Sequence, residues 1–354
     1  MRNIRVAPGA PLPEPPGGLV GAVLARDVVV DGERWRKGRR LDAADIARLA
    51  AGDPSGSSAG PVTLLLADPD EVHEDDAATR LAAAVAGPGI LLRGPVESRI
   101  DLVAVHAGVV RVDAPRLARL NAIDGLSVFS VFDGQLVGEG TVVAAAKTGP
   151  HLVEEAAVTR AETFLARTGA PLVEVRPYAR RRVAAVVKET LAPSARARFE
   201  ASLRAKVESL GSEVVEITHV ADDPAVVGAA LLRLTRGSRR ADLVLTAGAA
   251  STDPADAVFV AFAAIGGRIV SHGVPAHPGS MLWLGRAGRT TVLGLPTCGA
   301  YSRATAADIL LPWLLAGEPP TRRTAARLGH GGLLTRDMRF RFPPDVRDLD
   351  APES

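Results

Sequence analysis

The sequence predicts an α/β protein whose C-terminal half is a three-layer αβα domain around a mainly parallel sheet, preceded by smaller α+β and β-rich segments. From residue 182 onward, short apolar runs alternate with helix-like stretches that stop at Gly211, Gly237 and Gly266, the pattern of buried parallel strands joined by crossover helices. Hydrophobic residues make up 47% of the 354-residue chain but aromatics only 4%, so the core is packed with Ala, Val and Leu, as such layers are. The one cysteine, Cys298, excludes an internal disulfide framework and any multi-cysteine zinc site.

At this length two or three domains are expected. Residues 1–18 are rich in Pro and Gly and read as an extended arm. Residues 19–98 read as a small α+β domain: strand "LVGAVLARDVVV", helix "DAADIARLAAG", strand "PVTLLLADPD", helix "EDDAATRLAAAVAG". Residues 99–178 alternate β-like runs with "DG" and "GEG" turns and close on a connecting helix, "EEAAVTRAETFLARTG". The layered domain spans 179–318, with strands "RVAAVVK", "EVVEITHV", "ADLVLTAG", "GRIVSHG" and "TTVLGLP" and helices over 194–210, 223–236, 254–265 and about 300–316. Residues 319–354 read as a Pro/Arg/Asp-rich tail.

Net charge is +2, and lysine occurs only at 37, 147, 188 and 206, so the basic residues are almost all arginine. No basic stripe carries interleaved aromatics, which argues against a nucleic-acid groove and leaves room for a phosphate-bearing small ligand. The N-terminus lacks an apolar signal region, and no run approaches the ~18 residues of a membrane span. A lone cysteine fits a reducing compartment, so a cytoplasmic location is expected.

In an open parallel sheet, ligands bind beyond the carboxyl ends of the strands. The polar segments of this domain fall there: "KETLAP" after the first strand, "TAGAASTDPAD" after the third, "HGVPAHPGS" after the fourth and "LPTCGAYSR" after the fifth. The opposite strand ends carry plain connectors such as "LGSE" and "RGSRRAD". After Thr246, the residues Gly248, Ala249 and Ala250 let backbone N–H groups approach a ligand, and the helix N-terminus that follows favours an anion. Ser251 and Thr252 add hydroxyls. Asp253, before Pro254, reads as the N-cap, whereas Asp256 either completes the cap or points into the crevice to hold a cation or a ligand N–H. The sequence leaves both roles open for Asp256.

With these segments in order, residues 180–316 or so resemble the molybdopterin-binding domain family, in particular the molybdopterin molybdenumtransferases and the gephyrin E-domain. The family's Gly-Gly-x-Ser loop, with an Asp five residues after the Ser, corresponds to Gly248, Ala249, Ala250, Ser251 and Asp256. Of its Lys-rich loop ending Pro-Gly-Lys-Pro this chain keeps Pro278 and Gly279, while His277 and Ser280 replace the two lysines expected before and within the motif. Its Leu-Pro-Gly-Asn-Pro turn corresponds to Leu295, Pro296, Thr297, Cys298 and Gly299. Where the family has Thr-Gly-Asp-Glu-Leu, with an Asp associated with catalysis, this chain has Val187, Lys188, Glu189, Thr190 and Leu191.

The resemblance implies a molybdopterin ligand, free, adenylated or as molybdenum cofactor, whose phosphate meets backbone N–H groups of "TAGAAS" and "PGS". It assigns Asp256 and Glu189 to Mg²⁺ or to the adenylate leaving group, and Lys188 to replacing part of the missing positive charge. It implies a homodimer. Three roles stay open: insertion of molybdate into adenylated molybdopterin, non-catalytic carriage or storage of the cofactor, and hydrolysis on the same fold. His272 and His277 are either donors to molybdate or surface turn residues. Cys298 is either a sulfur or metal contact or a small buried hydrophobe, and Trp283 is either a pterin stack or core.

Other patterns carry no function. "GSSAG" (56–60) precedes a strand instead of joining strand to helix, so it is no nucleophile elbow. "EVHEDD" (71–76) lacks a second histidine four residues on. Walker A and Gly-x-Gly-x-x-Gly signatures are missing from the sequence.

Overall fold

The computed structural model describes residues 1–6, 12, 16–51, 61–188, 191–295 and 304–343. Two compact units emerge: residues 1–105, 111–133 and 139–175 form the first, and 106–110, 134–138 and 176 onward the second.

The first unit differs in two places from the segments read in the sequence. Residues 2–6 belong to a sheet, since Arg2–Val6 pairs antiparallel with Val62–Leu66 from Arg2 opposite Leu66 to Val6 opposite Val62. The arm reading weighted the prolines that begin at Pro8 and overlooked the alternating "NIRV" before them. The boundary drawn at 98/99 falls inside a hairpin, because Ile90–Val96 and Arg99–Ala104 are neighbours in a four-stranded antiparallel sheet with Val142–Thr148 and Leu126–Ser130. The helices Glu74–Val85 and Glu155–Ala166 pack together, and the Arg80 guanidinium clamps Glu155 and Glu162 at 2.8–2.9 Å.

The second unit holds the layered domain. Its elements are β1 (Arg182–Val187), α1 (Pro193–Glu208), β2 (Glu213–His219), α2 (Pro224–Thr235), β3 (Leu243–Ala247), α3 (Ala257–Ala264), β4 (Arg268–His272), β5 (Trp283–Ala287), β6 (Thr290–Gly294) and α4 (Ala307–Leu315). Strand order is β2-β1-β3-β6-β5-β4.

The central strand β1 shows why two helical layers are needed. Its residues Val183, Ala185 and Val187 pack with Phe199, Leu203 and Val207 of α1 and with α4, while Ala184 and Val186 face Val227, Leu231 and Leu234 of α2 and Val258 and Phe262 of α3. Successive side chains of a strand point to opposite faces, and both faces here are apolar, so neither could be left in water. In α1 the residues at 199, 203 and 207 recur every four positions on an otherwise charged helix, and each buried side chain contributes about 2 kcal/mol to docking. The small Ala184 and Ala185 admit close helix approach.

The sheet is mainly parallel but not wholly so. β1 pairs parallel with β2 and β3, and β3 with β6, whereas β5 is antiparallel to both β6 and β4. The sequence around "MLWLG" is therefore a strand, joined to β6 by the two-residue turn Gly288–Arg289, where Gly288 has φ +58°. Because β4 still runs in the direction of the parallel strands, the C-terminal ends of β1, β2, β3, β4 and β6 share one edge.

Residues 319–343 are no loose tail. The helix Arg322–Ala326 and the chain after it pack Ala325, Leu328, Leu334 and Phe342 into the same core as α4. The unit also takes in Val109 and Leu136, paired across two short antiparallel strands, and Gly134, whose carbonyl accepts the Trp313 indole N–H at 2.8 Å. A Cβ on Gly134 would lie 2.3 Å from that ring, so only glycine fits. The last helix begins at Ala307 behind Thr305 and Asp308, where the Thr305 N–H donates to Asp308 Oδ2 at 2.9 Å and the Ala307 N–H to Thr305 Oγ1 at 3.2 Å. Among the described residues no helix is long and apolar enough to cross a membrane.

Candidate functional site

Five strand ends meet at the carboxyl edge of the sheet. Lys188 follows β1 and continues the ladder, its N–H donating to Ala247 O at 3.0 Å, and the Leu295 N–H does the same to Thr246 O at 2.7 Å. Both segments are thereby set beside the end of β3, where Gly248 turns the chain with φ +87°.

An ion-pair chain lies at this edge. Lys188 Nζ is 2.7 Å from Asp256 Oδ2 and 2.9 Å from Asp222 Oδ1. The Lys188 and Asp256 side chains are 7% and 3% exposed, while Asp222, at 66%, is largely in solvent. Asp256 is the N-cap of α3: Oδ1 accepts the Val258 N–H at 2.9 Å, and Oδ2 accepts the Ala250 N–H at 2.8 Å beside the lysine. Burial alone would raise the Asp256 carboxyl, but the Lys188 ammonium and the two backbone N–H groups win and hold it below the ordinary carboxylate range. Burial would likewise lower the Lys188 ammonium, yet its two carboxylate partners raise it above the usual lysine value. Both groups stay charged at neutral pH.

This geometry settles the cap. Asp253 closes a local turn through the Ala255 N–H at 2.8 Å, and α3 starts three residues later than the 254–265 read from the sequence. Asp256 takes both roles that the sequence left open, capping the helix and binding a cation, and that cation is Lys188. A divalent ion does not fit the described residues here, since it would share Oδ2 with an ammonium. Among the described residues no group of three or more His, Cys, Asp and Glu is placed to hold a metal ion. Glu189, the second expected metal and catalytic residue, lies outside the described residues, as do Pro296, Thr297 and Cys298.

The remaining expected residues fall as follows. Gly248, Ala249 and Ser251 are half-buried and Ala250 is exposed; the Ala250 N–H is already taken by Asp256. His272 Nε2 bonds to the Ser251 carbonyl, so that nitrogen carries the proton, and the ring stacks on Phe259 at 5.0 Å. His272 thus fastens the loop that contains Ser251. The Thr246 hydroxyl, buried at the strand end, has no hydrogen-bond partner among the described residues. Such a group is costly to leave unpaired.

The "HPGS" loop is strapped to two other segments. The His277 N–H donates to Gly332 O at 2.7 Å and its carbonyl accepts the Leu334 N–H at 2.8 Å, while Pro278 O accepts the Ala306 N–H at 2.9 Å. The His277 ring is exposed and Ser280 is half-buried. Gly279 has φ +104°, and a Cβ there would sit 2.8 Å from Ala306 N. Trp283 is core: it is 1% exposed and packs at 5.3 Å against both Phe259 and Phe262.

Asp222 was missed in the sequence. It sits in "VADDPA" directly after β2, where the strand-end rule applied to the second strand would have found it; its neighbour Asp223 caps α2 through the N–H groups of Ala225 and Val226 at 2.8 and 3.0 Å.

Comparison with known proteins supports the assignment of this domain. Residues 185–316 match the family model described as "Probable molybdopterin binding domain". No curated protein matches the chain. Among solved structures, the molybdopterin biosynthesis MoeA protein from Pyrococcus horikosii is similar at 15% identity, covering 73% of this chain and 81% of its own, with a TM-score of 0.30. The molybdopterin biosynthesis enzyme MoaB from Thermus theromophilus is similar at 21% identity, covering 40% of this chain and 99% of its own, with a TM-score of 0.29. A molybdenum cofactor biosynthesis protein B is similar at 16% identity, covering 39% and 88%, with a TM-score of 0.27. These likenesses are too distant to speak for activity. The family match coincides with the layered domain and its carboxyl edge, so residues 185–316 are similar to the molybdopterin-binding domain family.

Proposed function

We propose that the carboxyl edge of the sheet binds molybdopterin or its nucleotide-extended form, and that the protein carries or presents this ligand in molybdenum-cofactor handling. The observation that supports it is the Lys188 ammonium held between Asp222 and Asp256 beside the 248–251 loop. An ammonium has three donors and two are committed to carboxylates, so one remains for a ligand phosphate. The Thr246 hydroxyl and the backbone of Gly248, Ala249 and Ser251 complete a polar edge suited to an anion.

Carriage is favoured over molybdate insertion because Asp256 is committed to Lys188 and to two backbone N–H groups. In this reading Asp256 is a positioning residue that aims Lys188, and no catalytic step passes through it. The test is to incubate the purified protein with adenylated molybdopterin and molybdate, with and without Mg²⁺, following bound pterin by fluorescence after oxidation and released AMP. Saturable binding without AMP release is expected, with affinity lowered at least tenfold in Lys188→Ala. AMP release in step with active cofactor would replace carriage by transfer, and failure to bind at all would end the proposal.

A further inference from the structure

A second charged cavity lies at the opposite end of the same sheet. It has a volume of about 270 Å³ and is lined by Arg181, Arg240, Arg286 and Arg289 against only two acids, Asp242 and Glu318. The four arginines come from the starts of β1 and β3 and from the β5–β6 hairpin, so the topology gathers them at the edge remote from Lys188.

The two acids leave most of the cluster uncompensated. Glu318 is committed to Arg176 at 2.9 Å and Arg327 at 3.2 Å. Asp242 accepts the Arg182 backbone N–H at 3.0 Å and pairs with Arg240 at 3.4 Å. Among the described residues the side chains of Arg181, Arg286 and Arg289 make no ion pair or hydrogen bond. The arginines are not spent on capping α4 either, because its final carbonyls are satisfied by the chain: Trp313 O by the Glu318 N–H, Leu314 O by the Gly317 N–H and Leu315 O by the Ala179 N–H.

The cluster extends further across the sheet. Arg286 stands directly opposite Arg268 in the β4–β5 pair, and like charges facing each other across strands are destabilising. A concave site that keeps several uncompensated guanidinium groups together favours an anion that several of them reach at once. The cavity is smaller than the 300–1,000 Å³ or so typical of sites for drug-sized ligands, so a pterin nucleotide is too large for it.

We propose that this cavity is a binding site for a tetrahedral oxyanion of the phosphate, sulfate or molybdate class, held by Arg181, Arg286 and Arg289 and separate from the site at the carboxyl edge. Arg240, partly occupied by Asp242, orients the rim. The inference does not depend on the ligand of the Lys188 edge.

The test is calorimetric titration of the protein with inorganic phosphate, sulfate and molybdate in separate arms, for the wild type and Arg286→Ser/Arg289→Ser. Arg286 and Arg289 are exposed, so their replacement leaves the core intact. At least one anion is expected to saturate about one site per chain, with affinity falling at least tenfold in the double variant; the arm that saturates identifies the anion. The proposal is overturned if none of the three saturates, or if the double variant binds like the wild type, which would put the anion elsewhere.

Discussion

Lys188 Nζ and the Ala250 backbone N–H converge on one atom, Asp256 Oδ2, at 2.7 and 2.8 Å. A single carboxylate oxygen thereby ties the end of β1 to the loop after β3, while its twin caps α3. The carboxyl edge of the sheet and the helix start share one buried charge.

Breaking this pair is therefore expected to cost stability. Removing one partner of a buried ion pair leaves the other uncompensated, a penalty of about 3–5 kcal/mol. Asp256→Asn should lose about 3 kcal/mol in urea unfolding, while a Lys188→Met/Asp256→Asn double variant should recover part of it. A loss under about 0.5 kcal/mol in Asp256→Asn would show the pair to be unimportant.

The pH dependence follows from the two shifts. Asp256 lies below its unfolded value of about 3.9, so its contribution is complete above that pH and fades as pH falls through the lower folded value. Lys188 lies above its unfolded value of about 10.4, so its contribution is complete below that pH and fades as pH rises through the folded value. Wild-type protein and the double variant, compared by thermal unfolding, should show a constant stability gap from about pH 5 to 9 that narrows in acid. A gap that widened in acid would contradict the sign of the Asp256 shift.

Gly294 is predicted to tolerate no side chain. A Cβ there would lie 1.8 Å from Trp283 Nε1, and Trp283 is enclosed by Phe259 and Phe262. Gly294→Ala should destabilise by about 2 kcal/mol or more, as overpacking a tight core does. Adding Trp283→Phe should relieve some of this. Unchanged denaturant midpoints in Gly294→Ala would mean that the indole can move aside.

Leu328 tests whether the C-terminal segment belongs to the core. It is fully buried beside α4, so Leu328→Ala should cost about 2–5 kcal/mol in chemical denaturation. A dispensable tail would show a change within about 0.5 kcal/mol.

The layered domain was legible in the sequence because its strands are continuous apolar runs and its helices stop at glycines. The carboxyl edge followed from that topology, and "TAGAAS", Lys188 and Asp256 stood out as polar residues next to buried strands. β5 was not legible: "MLWLG" is as apolar as a core segment of any kind, and only the short Gly288–Arg289 turn marks it as one arm of a hairpin. The Lys188–Asp256 pair could not be read either, since 68 residues separate the partners and only the parallel register of β1 and β3 brings them together. The C-terminal segment misled because its prolines and arginines dominate its composition, whereas Leu328, Leu334 and Phe342 are too widely spaced to show a period.

The second unit draws Val109, Gly134 and Leu136 from stretches that interrupt the first in sequence. A gene fragment cut at the limits of the family match would lack these residues and the buried positions beyond 316, and would leave Trp313 without its acceptor at Gly134. Excising this half thus means opening its interior, and on the ribosome that interior cannot close until Phe342 has emerged.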